Sequence, residues 1–148
     1  MLAGRGATLE DCRALAETLG VAARVVFAGF VPDVQVCYHA ADVCVSTSRS
    51  EGLPFNLMEA MHCALPIVVT DVKGHEDLAQ EGKAGILVPY GDEEQLCAAL
   101  TELMSNPALI MQLGCEGEKM VERYRLEYVI EANMKFINDA VVRFRDME

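Results

Sequence analysis

Asp42-Val43-Cys44-Val45-Ser46-Thr47-Ser48-Arg49-Ser50-Glu51-Gly52-Leu53-Pro54-Phe55-Asn56-Leu57-Met58-Glu59-Ala60-Met61 is the stretch that decides the fold. Val43-Cys44-Val45 is an apolar, β-branched run and reads as a buried strand. A loop of Ser, Arg, Glu and Gly follows it, and a helix is expected from Pro54 to Cys63. Pro54 suits the first helical turn, where its missing N–H would be unpaired anyway. Pro66 then opens another strand, Ile67-Val68-Val69. Strand, helix and strand in that order form a βαβ unit, and its crossover makes the strands parallel.

The same alternation extends in both directions. Before the unit, Met1 to Gly4 reads as the tail of a strand. Thr8 to Leu19 reads as a helix with Leu9, Cys12, Leu15, Ala16 and Leu19 at helical spacing, Thr8 as its N-cap and Gly20 as its stop. Arg24 to Ala28 is expected as a buried strand, Gly29-Phe30-Val31-Pro32 as a loop, and Asp33 to Ala40 as a short helix. After the unit, Gly74 to Gln80 suggests a short helical turn, and Gly85 to Val88 a strand closed by Pro89 and Gly91. Leu96, Ala99, Leu100 and Leu103 make Glu93 to Met104 an amphipathic helix. Asn106-Pro107 caps another, and Leu126 to Phe144 forms a long last one. No repeat, linker or low-complexity segment interrupts the pattern. The fold class is α/β, a doubly wound parallel sheet with helices on both faces. In such sheets ligands bind where strands end and loops feed into helices.

Composition narrows the function. The 148 residues suit one domain, since domains run roughly 100–200 residues. With 12 Lys+Arg against 23 Asp+Glu the net charge is −11. Nucleic acid and anionic lipid both require clustered cations, so neither is an expected partner. Hydrophobic residues make up 52% of the chain, enough for a real core. No apolar run approaches the ~20 residues of a spanning helix, and the start lacks signal-peptide character. A cytoplasmic protein is therefore expected. Its six cysteines, Cys12, Cys37, Cys44, Cys63, Cys97 and Cys115, form no C-x2-C pair and read as reduced and structural.

The loop between Ser46 and Met61 carries the chemistry. Gly52 lets the backbone approach a ligand closely, and the amides of Leu53, Phe55 and Asn56 point outward from the helix start. With the helix dipole they suit a phosphate or pyrophosphate. Glu51 and Glu59 bracket that anion site. Carboxylates there would repel a bare phosphate but accept hydrogen bonds from sugar hydroxyls. A nucleotide sugar is the simplest ligand that satisfies both demands. A Glu near a helix start is also often only a partner of the dipole, so geometry alone leaves both readings open.

Glu51 and Glu59 have the E-x7-E spacing, and the stretch resembles the retaining glycosyltransferases of GT-B fold, family-four type, the group 1 glycosyl transferases. Further segments resemble the same family in order: Val25-x-Phe27-x-Gly29-Phe30-Val31-Pro32, Tyr38-His39-Ala40-Ala41-Asp42, Leu65-Pro66-Ile67-Val68, and Gly82-x-x-Gly85-Ile86-Leu87-Val88-Pro89. The likeness spans roughly Met1 to Arg125. It implies a Rossmann-like, nucleotide-sugar-binding domain over residues 1–148, the C-terminal half of a GT-B fold. It further implies that the acceptor domain and the first strand and helix of the donor domain lie outside these residues.

The resemblance also implies roles. Glu51 would contact the donor sugar at the reacting centre, and Glu59 would bind the ribose hydroxyls. Backbone amides from Gly52 through Leu53, Phe55 and Asn56 would hold the pyrophosphate, and Phe30 and Val31 would cover the base. No metal and no cofactor is implied, because helix-terminus amides and cations stabilise the leaving phosphate. The acceptor would be a glycan or lipid-linked sugar, reached through the other domain, in a cytoplasmic enzyme that could lie peripheral to the inner face of the membrane. The phosphate-clamping cations belong to a segment outside this chain, and neither Arg49 nor Lys73 takes their place. The isolated chain is therefore expected to be inactive.

Weaker signals remain. Gly4-Arg5-Gly6 lacks the third Gly of a dinucleotide fingerprint, which disfavours a Rossmann oxidoreductase, and resembles the family's strand-end G-x-G instead. Gly74-His75-Glu76-Asp77-Leu78 resembles a G-H-x-D-L form, in which His75 either reaches the donor or sits on a surface loop. His62 reads as structural, and Cys63 lacks the pattern of a nucleophile. Val129, Ile130, Met134, Ile137, Val141 and Phe144 give the last helix an apolar stripe that could form a homodimer. A non-catalytic nucleotide-sugar-binding or regulatory module is the alternative to an enzyme.

Overall fold

The computed structural model describes residues 1–79 and 83–145. Gln80, at the end of the helical turn expected from Gly74, and Gly82 of the Gly82-to-Pro89 motif lie outside the described residues. The chain divides into two compact units, Met1–Ala40 and Ala41–Glu148.

In the first unit, β1 (Leu2–Ala3) and β2 (Phe27–Gly29) pair in parallel, with α1 (Leu9–Thr18) between them and α2 (Gln35–His39) after them. Helix α1 ends as its sequence dictates. Gly20 takes φ +68°, a left-handed turn that glycine alone enters without strain. Its amide donates to Glu17 O (2.9 Å), and that of Val21 donates to Ala16 O (2.9 Å). The start of α1 departs from expectation. Thr8 occupies the N-cap position, but its side chain caps nothing. The strand expected from Arg24 also begins later, because a 3-10 turn takes up Ala22–Arg24, with the Arg24 amide donating to Val21 O (2.8 Å). Nor are the strands buried: β1 is exposed, β2 is half-buried, Val26 just before β2 is 58% exposed, and Ala16 is the unit's one buried residue among those described. So short a unit has too little chain to enclose its own sheet.

The second unit holds a three-stranded parallel sheet in the order β3 (Cys44–Ser46), β4 (Ile67–Thr70), β5 (Gly85–Val88). Around it are α3 (Phe55–His62), α4 (Lys73–Ala79), α5 (Glu93–Ser105) and α6 (Pro107–Val121), and α7 (Leu126–Arg145) follows as an exposed last helix. Register runs Cys44↔Ile67, Ser46↔Val69 on one side of β4 and Ile67↔Gly85, Thr70↔Val88 on the other. All of β4 is buried. Side chains alternate across a strand, so Ile67 and Val69 enter a cluster with Leu57, Met61, Leu78 and Met120. Val68 faces the other way, toward Val88, Ala99, Leu103 and Leu113. A strand covered on both faces must be apolar at every position, which is why Ile67-Val68-Val69 reads as one uninterrupted run. Burying each such side chain contributes roughly 1.5–3 kcal/mol.

Strand β3 is less buried than its sequence implies. Cys44 packs on the Ile67 face, but Val45 remains 43% exposed. Val45 pairs with Val68, on the face where α5 packs against β4 and β5. The cysteines are all free thiols, but Cys12, Cys97 and Cys115 are exposed rather than enclosed in apolar segments. On α7 the apolar stripe from Val129 to Phe144 is between 38% and 71% exposed. Among the described residues no single helix is long and apolar enough to cross a membrane.

Candidate functional site

The carboxyl edge of the three-stranded sheet carries the loop that the sequence singles out. Ser46 ends β3, and the chain runs through Thr47 to Leu53 before α3 begins. Pro54 occupies the N-cap position of α3, one residue earlier in the helix than expected, with φ −77° and ψ 100°. Its carbonyl accepts from the amides of Leu57 (3.1 Å) and Met58 (3.2 Å). No side chain caps this end. Phe55 and Asn56 are therefore the first two helical residues, and their amides have no intrahelical acceptor. Among the expected anion-binding positions Gly52, Leu53, Phe55 and Asn56 are all exposed, with Phe55 at 71%. Glu51 is half-buried at the base of the loop, and Glu59 is exposed one turn into α3.

Residues distant in sequence hold the loop. A Cβ placed on Gly74 would lie 2.5 Å from Gly52 O and 2.8 Å from Glu51 O, so the first turn of α4 presses directly on the loop backbone. Only glycine permits that approach. The hydroxyl of Thr70, at the end of β4, donates to Ser48 O at 2.6 Å. Ser46 Oγ and Ser48 Oγ lie 3.3 Å apart. His75 is neither on a loop nor at the surface. It lies in α4, is fully buried, and brings Nδ1 within 2.8 Å of Thr70 O. The sequence signal at Gly74-His75 was visible, but the part played by Thr70 was not, since a Thr closing an apolar strand carries no local mark.

Arg49, the cation within the loop, has another partner. The Arg49 guanidinium sits 5.8 Å from the centroid of the Tyr90 ring, after β5. A cavity of about 420 Å³ opens at the ends of β4 and β5, lined by Thr47, Thr70, Tyr90 and Asp92 among others. In the first unit, Phe30 is exposed, Val31 is half-buried, and the Arg5 guanidinium lies 5.4 Å from the Phe30 ring centroid. Phe30 and Val31 belong to that unit and the remaining candidates to the second.

The surroundings of three ionisable groups favour their protonated forms. Burial pushes the Cys44 thiol up to about 11. Partial desolvation and the neighbouring Glu59 carboxylate raise that of Cys63, the wrong direction for a thiolate nucleophile. A hydrogen bond to Asp71, then desolvation and the charges of Asp71 and Asp77, raise the Glu76 carboxyl. Among the described residues no three His, Cys, Asp or Glu side chains converge as a metal site requires.

Comparison with known proteins gives this edge a context. A family model described as "Glycosyl transferases group 1" matches residues 1–106. EpsD of Bacillus subtilis (strain 168), whose name assigns it provisionally to the glycosyltransferases, is 35% identical over 131 residues, covering 88% of this chain and 34% of its own length. LpcC of Rhizobium leguminosarum bv. viciae, a lipopolysaccharide core biosynthesis mannosyltransferase, is 30% identical over 112 residues, 76% of this chain and 31% of its own. The crystal structure of TarM superposes with a TM-score of 0.83 at 25% identity, over 92% of this chain and 28% of TarM. The chain thus spans about a third of the length of the curated relatives it matches.

Proposed function

The chain belongs to the group 1 glycosyl transferases, and on that premise we propose that it is the donor-binding part of an enzyme that transfers a hexose from a nucleotide sugar with retention. The observation that carries this reading is the α3 start. Two helix amides without intrahelical acceptors stand beside an exposed Gly52, at the sheet edge, between Glu51 and Glu59. Amides and helix dipole suit the pyrophosphate. The two carboxylates suit hydroxyls, Glu59 those of the ribose and Glu51 those of the donor sugar near the reacting carbon. Phe30 and Val31, in the first unit, are assigned to the base. Charge that develops on the leaving pyrophosphate would meet fixed backbone donors, and this requires no metal.

The acceptor in this reading is a glycan or lipid-linked sugar of a cell-envelope polysaccharide or lipopolysaccharide, handled on the cytoplasmic side. The relatives' names point in the same direction. These 148 residues bind the donor but do not turn it over by themselves, because the family likeness assigns the acceptor site and the phosphate-clamping cations to other segments. With Arg49 held against Tyr90 and a net charge of −11, affinity rests on backbone dipoles and is weak. The exposed stripe of α7 is the proposed surface for self-association.

Calorimetric titration of the chain with UDP, GDP and NAD tests the donor reading. Binding of UDP or GDP that disappears in Glu59→Ala is the expected result. Binding of NAD with neither UDP nor GDP would refute it. Acceptor-dependent product from labelled UDP- or GDP-sugars with this chain alone would overturn the expected lack of turnover.

A further inference from the structure

We propose that His75 is a positioning residue: acting through Thr70, it fixes the Ser48–Gly52 loop and so sets the direction in which the open α3 amides face a ligand. Its effect on ligand binding rests on the donor reading above, but its hold on the loop does not.

The direction of the hydrogen bonds follows from their chemistry. His75 Nδ1 lies 2.8 Å from the Thr70 carbonyl oxygen, which can only accept, so Nδ1 carries a proton. The same nitrogen is 3.2 Å from Thr70 Oγ1, whose own hydrogen goes to Ser48 O at 2.6 Å. The one Nδ1 hydrogen is therefore shared, mainly with the Thr70 carbonyl and in a weaker branch with Thr70 Oγ1, and the hydroxyl passes its own hydrogen on to the loop carbonyl. Such chains strengthen each member in turn. The Thr70–Ser48 link joins residues 22 apart in sequence, β4 to the segment after β3. Gly74, next to His75, touches the same loop independently through its close approach to the Glu51 and Gly52 carbonyls.

The second ring nitrogen strengthens the case. With Nδ1 protonated, Nε2 of the neutral ring is an acceptor, and it is the buried side-chain nitrogen left without a partner among the described residues. An unpaired buried acceptor is destabilising, and a smaller apolar residue would avoid it. The ring's hydrogen-bonding partners all lie at its other nitrogen. Nε2 is closed off from solvent and so touches no ligand in this conformation. The work of His75 is done through Nδ1.

Two amide substitutions separate the nitrogens. His75→Asn keeps an N–H donor at the position of Nδ1 and removes Nε2. His75→Gln places its amide near Nε2 and leaves the Thr70 carbonyl without its donor. The measurements are hydrogen exchange of the peptide covering residues 48–52, the thermal midpoint, and affinity for UDP and GDP. His75→Asn is expected to keep loop protection and nucleotide affinity within about twofold of the parent. His75→Gln is expected to lose about tenfold in both, the magnitude of one hydrogen bond. The opposite pattern, or loop exchange unchanged in both variants, overturns the proposal. If the parent binds neither nucleotide, the donor reading fails, while the exchange data still decide the role of His75. Should the variants not fold, the ring-nitrogen NMR of the parent decides: an Nδ1–H tautomer supports the proposal, and an Nε2–H tautomer overturns it.

Discussion

Helices α5 and α6 begin in one way and α3 in another. Asp92 caps α5 by accepting from the Gln95 amide at 2.9 Å, and it holds the Gln95 side chain at 2.8 Å as well. Asn106 caps α6 by accepting from the Leu109 amide at 3.1 Å. A side-chain oxygen there satisfies donors that the helix cannot satisfy itself. Helix α3 starts on Pro54, which has no such oxygen, and its first amides stay open at the carboxyl edge of the sheet. Helix α4 is a third case. It begins between Asp71 and Glu76, and there a carboxyl pair works against the dipole's preference for negative charge. Among the helices of the sheet unit, α5 and α6 close their own ends with a side chain and α3 does not. The open end lies where this fold class places ligands.

The largest effect should come from the contact that aims the open end. Gly74→Ala places a methyl group against the carbonyls of Gly52 and Glu51, and overpacking of this kind costs about 1–3 kcal/mol. Both the unfolding midpoint and UDP or GDP affinity should fall. An unchanged midpoint would mean that the loop yields freely.

Next in size is a closed end. Asn106→Ala should destabilise the chain by about 1 kcal/mol in urea unfolding and leave nucleotide affinity as it was. Loss of affinity would break the distinction drawn between α6 and α3.

Closing α3 is the converse. Pro54 has the extended ψ of an N-cap, so Pro54→Ser can offer its hydroxyl to the Asn56 or Leu57 amide. The cap contributes about 1 kcal/mol, but loss of proline's restraint on the unfolded chain removes about 0.4–1 kcal/mol and the buried ring is lost as well, so stability should fall modestly. Nucleotide affinity should also fall in calorimetry. Equal affinity would show that the open amides do not bind the phosphates.

The smallest effect concerns α4. The Glu76 carboxyl is raised in the folded state, so its contribution favours folding below the ordinary carboxylate range and is lost as pH rises through the raised value. Glu76→Gln should therefore raise the thermal midpoint slightly at pH 7, and the gain should shrink as pH falls into the carboxylate range. A gain that stays constant with pH would show that the Asp71 contact is not its source.

Much of this was legible in advance. The β4 run, the loop from Ser46 and the cap at Asn106 follow from local rules, and each is found within a residue or two of its expected place. Thr8 carries the right chemistry for a cap, yet its side chain makes no capping bond. Val45 and Val26 have the composition of buried strand residues, yet both are substantially exposed, because composition does not say which helix covers which face. His75 departs furthest from expectation. It was expected to reach the donor or to sit on a surface loop, and only packing places it in the interior.

The sequence by itself determined the alternation of strands and helices, the sheet edge that carries the Glu51 and Glu59 loop, and the family. Periodicity, turn residues and motif spacing are all properties of neighbours along the chain. Tertiary structure alone decided that Gly74 abuts the Glu51 and Gly52 carbonyls and that Thr70 ties Ser48 to His75. Those contacts join separate strands and helices. Their existence depends on a register between elements that no local pattern encodes.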